Sequence, residues 1–354
     1  MSAFDRRTGD AWIGGVTFFT DGAVYVARRR AGAGSFDAPV LVNGDPDLFY
    51  DKPLMTAGPG PGAPNTTRLY VTYSEGLQSS GDLGATWGPL VELGESLFEI
   101  AYQPRVDADG VLSIVSWDSG DTIWLRRSLD GGATVGPRRA VATRLDVWGL
   151  QDSSRVPGQF RAPSLPSLAV DADGSLYVAY ADTTSTAGGD ANLDIYLTRS
   201  TDGGVTWSTP RIVNGDAVSP GDQFAPWLEV DAAGRLHVLF FDTRFTPQSD
   251  GADFGLVDLS YAFSDDAGAS WREVRITDAP SSSADAVWVG GPNVADYQFL
   301  GDYLGLTALE DGDVAVVYPA AVGGDFDIYS RRLRPPLFVD GFVLPVPLAA
   351  AGCR

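Results

Sequence analysis

Cysteine, histidine and lysine are nearly missing from this chain of 354 residues, where Cys353, His237 and Lys52 each stand alone in their type. A single cysteine closes no intrachain disulfide, so bridges say nothing about the redox compartment. One histidine and one cysteine cannot assemble the usual His and Cys zinc sites, and a Cys-His pair would have to recruit the extreme C-terminus. His237 lies in the apolar run Leu236-His237-Val238-Leu239-Phe240-Phe241, where a packed structural imidazole is the expectation. Long apolar runs are absent too. The stretch from Phe342 to Ala351 is short and broken by Pro345 and Pro347, well below the roughly 20 residues of a membrane span. Positive charge is scarce: 25 Lys and Arg against 46 Asp and Glu leave a net charge of −21. Such a chain repels nucleic-acid phosphates and anionic lipid, so neither is an expected partner.

Glycine and proline are plentiful instead, at 42 and 23 residues, and 44% of the chain is hydrophobic. This suits many short strands joined by turns, with helix nearly absent. One turn sequence recurs four times. It is Ser200-Thr201-Asp202-Gly203-Gly204-Val205-Thr206-Trp207, with copies starting at Ser80, Ser128 and Ser264. The short Asp side chain bonds the backbone N–H groups just after it, the hydroxyls assist, and the glycines permit positive φ.

Around these turns each unit follows one plan: an inner strand, an Asp-Gly turn, a second strand of β-formers, a variable loop, a third strand, the recurrent turn and a fourth strand. The second strands are expected at 12–19, 69–74, 111–117, 176–181, 236–241 and 314–318. Six four-stranded antiparallel meanders make an all-β, six-bladed β-propeller, a single domain over 1–345 with a tail at 346–354. Leu337 to Leu344 is expected to supply the outer strand of the sixth blade. The first inner strand is expected to begin upstream of Met1, because the Ala3-Phe4-Asp5 turn approach comes so early.

In a four-stranded blade the first and third turns share one end, while the second-to-third loops and the blade-to-blade links share the other. The recurrent turns therefore lie away from any pocket, and Asp82, Asp130, Asp202 and Asp266 are read as structural. At the loop end the second strands finish in Glu75, Asp118, Asp182 and Asp242, the last followed by Arg244. The links there are aromatic and polar: Asp51-Lys52-Pro53, Tyr102-Gln103-Pro104-Arg105, Phe160-Arg161-Ala162-Pro163, Asp222-Gln223-Phe224-Ala225-Pro226-Trp227 and Gly301-Asp302-Tyr303. Acids, a few cations and flat aromatic faces equip a sugar site, where hydroxyls are hydrogen-bonded and a C–H face stacks on a ring. Lys52 is expected to hold Asp302 or a ligand oxygen.

The repeated S-x-D-x-G-x-T-W pattern resembles the Asp-box (BNR) repeat of the sialidase superfamily, and the link motifs resemble a bacterial secreted, sialidase-like subgroup. The resemblance implies a secreted or periplasmic propeller directed at glycans, with exo-α-sialidase chemistry as its enzymatic form and a non-catalytic carbohydrate- or protein-binding propeller as the alternative. It also implies roles. Arg105, Arg161 and Arg244 are the candidates for a carboxylate-binding cluster, Tyr303 or Tyr102 for the nucleophile, and Asp118 or Asp51 for the acid. Lys52, Asp302, Gln223 and Trp227 are further substrate-binding candidates. The family's early Arg-Ile-Pro element is missing, and Phe160-Arg161-Ala162-Pro163 lies mid-chain instead. No cofactor is implied. Asp190-Ala191-Asn192-Leu193-Asp194 has the alternation of calcium ligands but lacks the Gly and Glu of a complete loop.

Overall fold

The structure is a computed structural model that describes residues 1–17, 22–94, 99–145, 160–161, 165–183, 193–215, 221–245, 256–282, 287–291, 294–323 and 325–334. It is an all-β, six-bladed β-propeller with no helix among the described residues. The chain divides into two compact units. One holds Met1–Thr143 with Ala172–Leu176 and Ser200–Trp207, and the other holds Arg144–Asp171, Tyr177–Arg199 and Ser208–Arg354.

The first unit carries three blades. They are β1 to β4 (Ser2–Asp5, Asp10–Thr17, Ala23–Arg29, Val40–Asn43), β5 to β8 (Leu54–Gly60, Ala63–Tyr73, Gly76–Ser80, Val91–Glu92) and β9 to β12 (Ile100–Val106, Leu112–Trp117, Thr122–Ser128, Arg139–Thr143). Each is a four-stranded sheet in which every strand pairs with its sequence neighbour. After the two-residue β13 (Phe160–Arg161) comes the fourth blade, β14 to β17 (Ser167–Val170, Leu176–Thr183, Leu193–Ser200, Arg211–Ile212). The fifth is β18 to β21 (Gln223–Val230, Leu236–Asp242, Leu256–Ser264, Arg272–Arg275), with β22 (Ser281–Ser282) also paired to β20. The sixth shows three strands among the described residues, β25 to β27 (Gly305–Ala308, Val314–Val322, Asp325–Leu333). The segment expected to complete it, 337–344, lies outside them.

The second strands match expectation to within a few residues, and their burial explains why. Every residue of Leu236–Asp242 is buried, as is every residue of Leu112–Trp117. A strand covered on both faces reads as a continuous apolar run instead of an alternation. In the second unit these runs join one core containing Val238, Phe240, Leu259 and Val316.

One sheet was not foreseen. Val287–Gly291 (β23) and Val294–Phe299 (β24) form a hairpin, and Phe160–Arg161 pairs with it in parallel, opposite Gln298 and Phe299.

The recurrent turns are closed by the bonds their residue types allow. In the third blade Ser128 Oγ donates to Asp130 Oδ1 at 2.8 Å, Thr134 N to the same oxygen at 2.9 Å and Thr134 Oγ1 to Asp130 Oδ2 at 2.5 Å. Asp82, Asp202 and Asp266 repeat the pattern. The residue after each Asp takes positive φ. Gly131 and Gly203 do so freely at 76° and 72°, whereas Leu83 and Ala267 are held there at 65° and 56°. These bonds keep the Asp130 carboxyl at about 2, through the Thr134 hydroxyl first and its backbone N–H second.

Candidate functional site

Within the third blade the two ends are unlike. The Asp107–Gly110 turn and the Ser128–Thr134 turn close one end, and the Asp118–Thr122 turn closes the other. At that second end a charged cluster crosses the blade. Glu99 is fully buried and accepts from Ser116 Oγ at 2.6 Å, from both terminal nitrogens of Arg126 and from Arg138 Nη1 at 3.3 Å. Arg138 lies equally near Asp118 Oδ2, at 3.3 Å, and its guanidinium stacks 4.2 Å from the Trp124 ring centroid. Trp124 Nε1 donates to Asp118 at 2.7 Å. The Asp118 carboxylate is thus held by a cation, an indole N–H and its own turn.

Tyr102 is buried on β9, and burial followed by the Glu99 charge pushes its phenol pKa up. Arg105 is a correction to the sequence reading. Ile100–Val106 is strand, and Arg105 pairs with Ser113 near the Asp107 turn, so it sits toward the end opposite Asp118 and donates to the Pro104 carbonyl at 3.1 Å. Pro104 is tolerated there because β9 is the edge strand of its sheet.

In the same unit Asp51 and Lys52 precede β5. Lys52 is buried to 6% exposure with φ of 50°, and its Nζ is 4.0 Å from Asp51 Oδ2. Asp51 also accepts from the Lys52 backbone N–H at 2.8 Å. Glu75, after β6, accepts from the Phe49 N–H at 3.4 Å.

The second unit repeats the design in the fifth blade. Gln223, Asp242 and Asp258 lie directly across from one another on β18, β19 and β20. Gln223 Nε2 donates to Asp242 Oδ1 at 3.3 Å, and its Oε1 accepts from Asn214 at 2.8 Å. Arg244 donates from Nε to Asp242 Oδ1 at 2.9 Å, from Nη2 to Asp242 Oδ2 at 2.6 Å and also to Glu273. Burial works against its charge, but the Asp242 bonds and the Glu273 field prevail and raise its pKa. Arg275 bonds Asp258 Oδ1 at 2.9 Å through Nε. Phe245 is 41% exposed, and the Arg244 and Arg275 guanidiniums each lie 5.5 Å from its ring centroid. The sequence reading passed over Phe245, although an aromatic next to Asp242-Thr243-Arg244 was the available signal.

Trp227 and Tyr303, both half-buried, meet edge to face at 6.3 Å, with Asp302 adjacent in sequence to Tyr303. Arg161 is placed only by its backbone, opposite Phe299. The calcium-like residues 190–192 lie outside the described residues, while Asp194 accepts from Asn214 at 2.8 Å. His237 is buried, with Nδ1 2.7 Å from Tyr261 Oη and Nε2 3.3 Å from Asp231. It is a packed imidazole at the end of the blade remote from Asp242.

No family model matches the chain, and no curated protein matches it by sequence. Solved structures do match. An α-L-arabinanase from Penicillium chrysogenum, complexed with arabinobiose, aligns at 14% identity over 94% of this chain and 92% of that one, with a TM-score of 0.52. The intramolecular trans-sialidase of Ruminococcus gnavus, in complex with oseltamivir carboxylate, aligns at 12% identity over 95% and 94%, also at 0.52. A Hadza microbial sialidase aligns at 16% identity and a TM-score of 0.44 over 75% of this chain, which spans only 52% of that protein. At these identities the likeness shows the fold, one that glycoside-processing propellers share.

Proposed function

We propose that this chain is a glycan-directed propeller of the sialidase-like kind, reading sugars at the end of the blades where Asp118 and Asp242 lie. The observation that carries the reading is the fifth blade, where an exposed aromatic ring, Phe245, stands beside carboxylates held in fixed hydrogen bonds. Asp242 and Asp258 are buried there and hold the arginines, and the Phe245 ring is the exposed group, the kind that covers a sugar C–H face. The propeller fold shared with an arabinanase bound to arabinobiose and with a trans-sialidase supports the same direction.

The finer reading, an exo-glycosidase of the sialidase type, calls for an acid, a nucleophile and cations that take the substrate carboxylate. A specific observation favours the non-catalytic alternative. Asp118 Oδ2 accepts from both Trp124 Nε1 and Arg138 Nη1, so this carboxylate oxygen is taken up by the protein's own donors. Fluorogenic glycosides of sialic acid and of α-L-arabinofuranose, run beside a glycan-binding array, decide between the two. Turnover supports the enzyme, binding without turnover supports the binding propeller, and neither overturns the proposal.

A further inference from the structure

The recurrent turns leave one carbonyl open. In the second, third and fourth blades the residue after the turn's Asp, which is Leu83, Gly131 or Gly203, takes positive φ, and none of the turn's own bonds uses its oxygen. Gly131 is buried, and a buried carbonyl needs a donor. That donor comes from the preceding blade every time. Trp12 Nε1 of the first blade donates to the Leu83 carbonyl at 3.0 Å, Arg68 Nε of the second to Gly131 at 2.7 Å, and Arg127 Nη1 of the third to Gly203 at 3.4 Å. All three pairs lie within the first compact unit. The donors differ in residue type and in strand, while the acceptor keeps one place in the turn. The glycine that follows fits the same contact. A Cβ on Gly204 would strike the Leu125 side chain of the third blade, and in the second unit one on Gly268 would lie 2.5 Å from Leu197 of the fourth. The fixed Gly of the repeat thus answers to the neighbouring blade as well as to its own positive φ.

We infer that the recurrent turn is a latch, which closes its own blade and also fastens that blade to the one before it. Opening a turn takes the acceptor away from a donor in the preceding blade, and removing the donor leaves a carbonyl of the next blade without its partner. Neighbouring blades tied in this way pass a local loss to one another, as stacked repeats do. The latch stands apart from the glycan reading, which concerns the opposite end of the blades.

Hydrogen exchange read by mass spectrometry on the full chain tests it, through peptides covering 128–136 and 200–207. In the first of these the Gly132 and Thr134 N–H groups are bonded within the turn, and in the second those of Gly204 and Thr206. Arg68→Met keeps an apolar stem and removes the donor to Gly131. It is expected to speed exchange in 128–136 about tenfold or more, although the substitution lies one blade away. Arg127→Met is expected to do the same in 200–207. Arg139→Met removes an exposed arginine whose side chain has no partner among the described residues, and is expected to change neither peptide. Exchange that quickens only in the blade carrying the substitution overturns the latch and leaves the turn as the closure of its own blade. Unchanged exchange in both peptides overturns it as well, and so does an equal rise across all blades, the mark of general destabilisation.

Discussion

Replacing Glu99 by Gln isolates what the buried charges of the third blade contribute. The Glu99 side chain is completely buried and that of Arg126 is 3% exposed, so neither charge is offset by water. Gln keeps the shape and one acceptor oxygen, which Ser116 Oγ, now 2.6 Å away, continues to use. The amide, however, turns an NH₂ group toward a guanidinium. Arg126 then loses the carboxylate it grips with both terminal nitrogens, and Arg138 loses its Glu99 partner while keeping Asp118. Removing one partner of a buried pair costs about 3–5 kcal/mol, because the other charge stays buried and uncompensated. Domains are stable by about 5–15 kcal/mol in total, so the variant should unfold at a visibly lower urea midpoint with an unchanged slope. Tryptophan fluorescence reads the transition, since Trp124 stacks against Arg138. The control is Glu99→Leu combined with Arg126→Met, which removes both charges and should recover most of the loss. A Glu99→Gln variant within about 1 kcal/mol of the parent would refute the reasoning, as would a double variant as unstable as the sum of its single changes.

Asp82→Ala removes bonds of 2.9 Å and 2.6 Å from Thr86 and one of 2.8 Å from Ser80, in a turn that water reaches. The expected cost is about 1–2 kcal/mol by chemical denaturation, with glycan binding intact; lost binding at unchanged stability would reverse the assignment of the two ends. The Asp130 carboxyl is at about 2 in the folded chain and near 4 when unfolded. Its stabilisation is therefore full above about pH 4 and lost as pH falls toward 2, so melting scans should fall more steeply there for the parent than for Asp130→Asn. His237 is lowered by burial, so the unfolded chain takes up its proton first and stability drops as pH falls below about 6.5. His237→Gln should flatten the melting curve between about pH 7 and pH 5, and an unflattened curve refutes the neutral imidazole. Lys52→Arg forces a broader head group into a site with 6% exposure and should cost about 1–3 kcal/mol by thermal melting; a change within about 0.5 kcal/mol would refute the tight fit of the ammonium.

The blade plan was legible because its two signals are local. An Asp, a Ser and a Thr at fixed offsets make the turn bonds from within eight residues, so four copies announce four blades. The buried second strands are equally plain, since both faces are apolar: 236–241 was expected and Leu236–Asp242 found. The inner strands were harder. Pro104 and Pro226 make β9 and β18 look like links, yet each strand is the edge of its sheet, where a missing N–H costs little. The hairpin at Val287–Gly291 and Val294–Phe299 had a readable turn at Gly290-Gly291-Pro292-Asn293, but a six-blade count left no place for an added sheet.

The candidate site was legible as an inventory and not as an electrostatic arrangement. Acids at the ends of second strands were foreseen, and Asp118 and Asp242 stand there. What sequence spacing cannot supply is the second partner of each arginine. Arg244 lies two residues from Asp242, a pair any reader would draw, but Glu273 comes from a strand 29 residues on. Arg126 meets Glu99 across 27 residues and Arg138 meets it across 39. Whether an arginine is an open fork for a ligand carboxylate or the clamp of two protein acids depends on those distant partners. For Arg244 those partners are Asp242 and Glu273, and for Arg138 they are Glu99 and Asp118, so each guanidinium lies against two protein carboxylates.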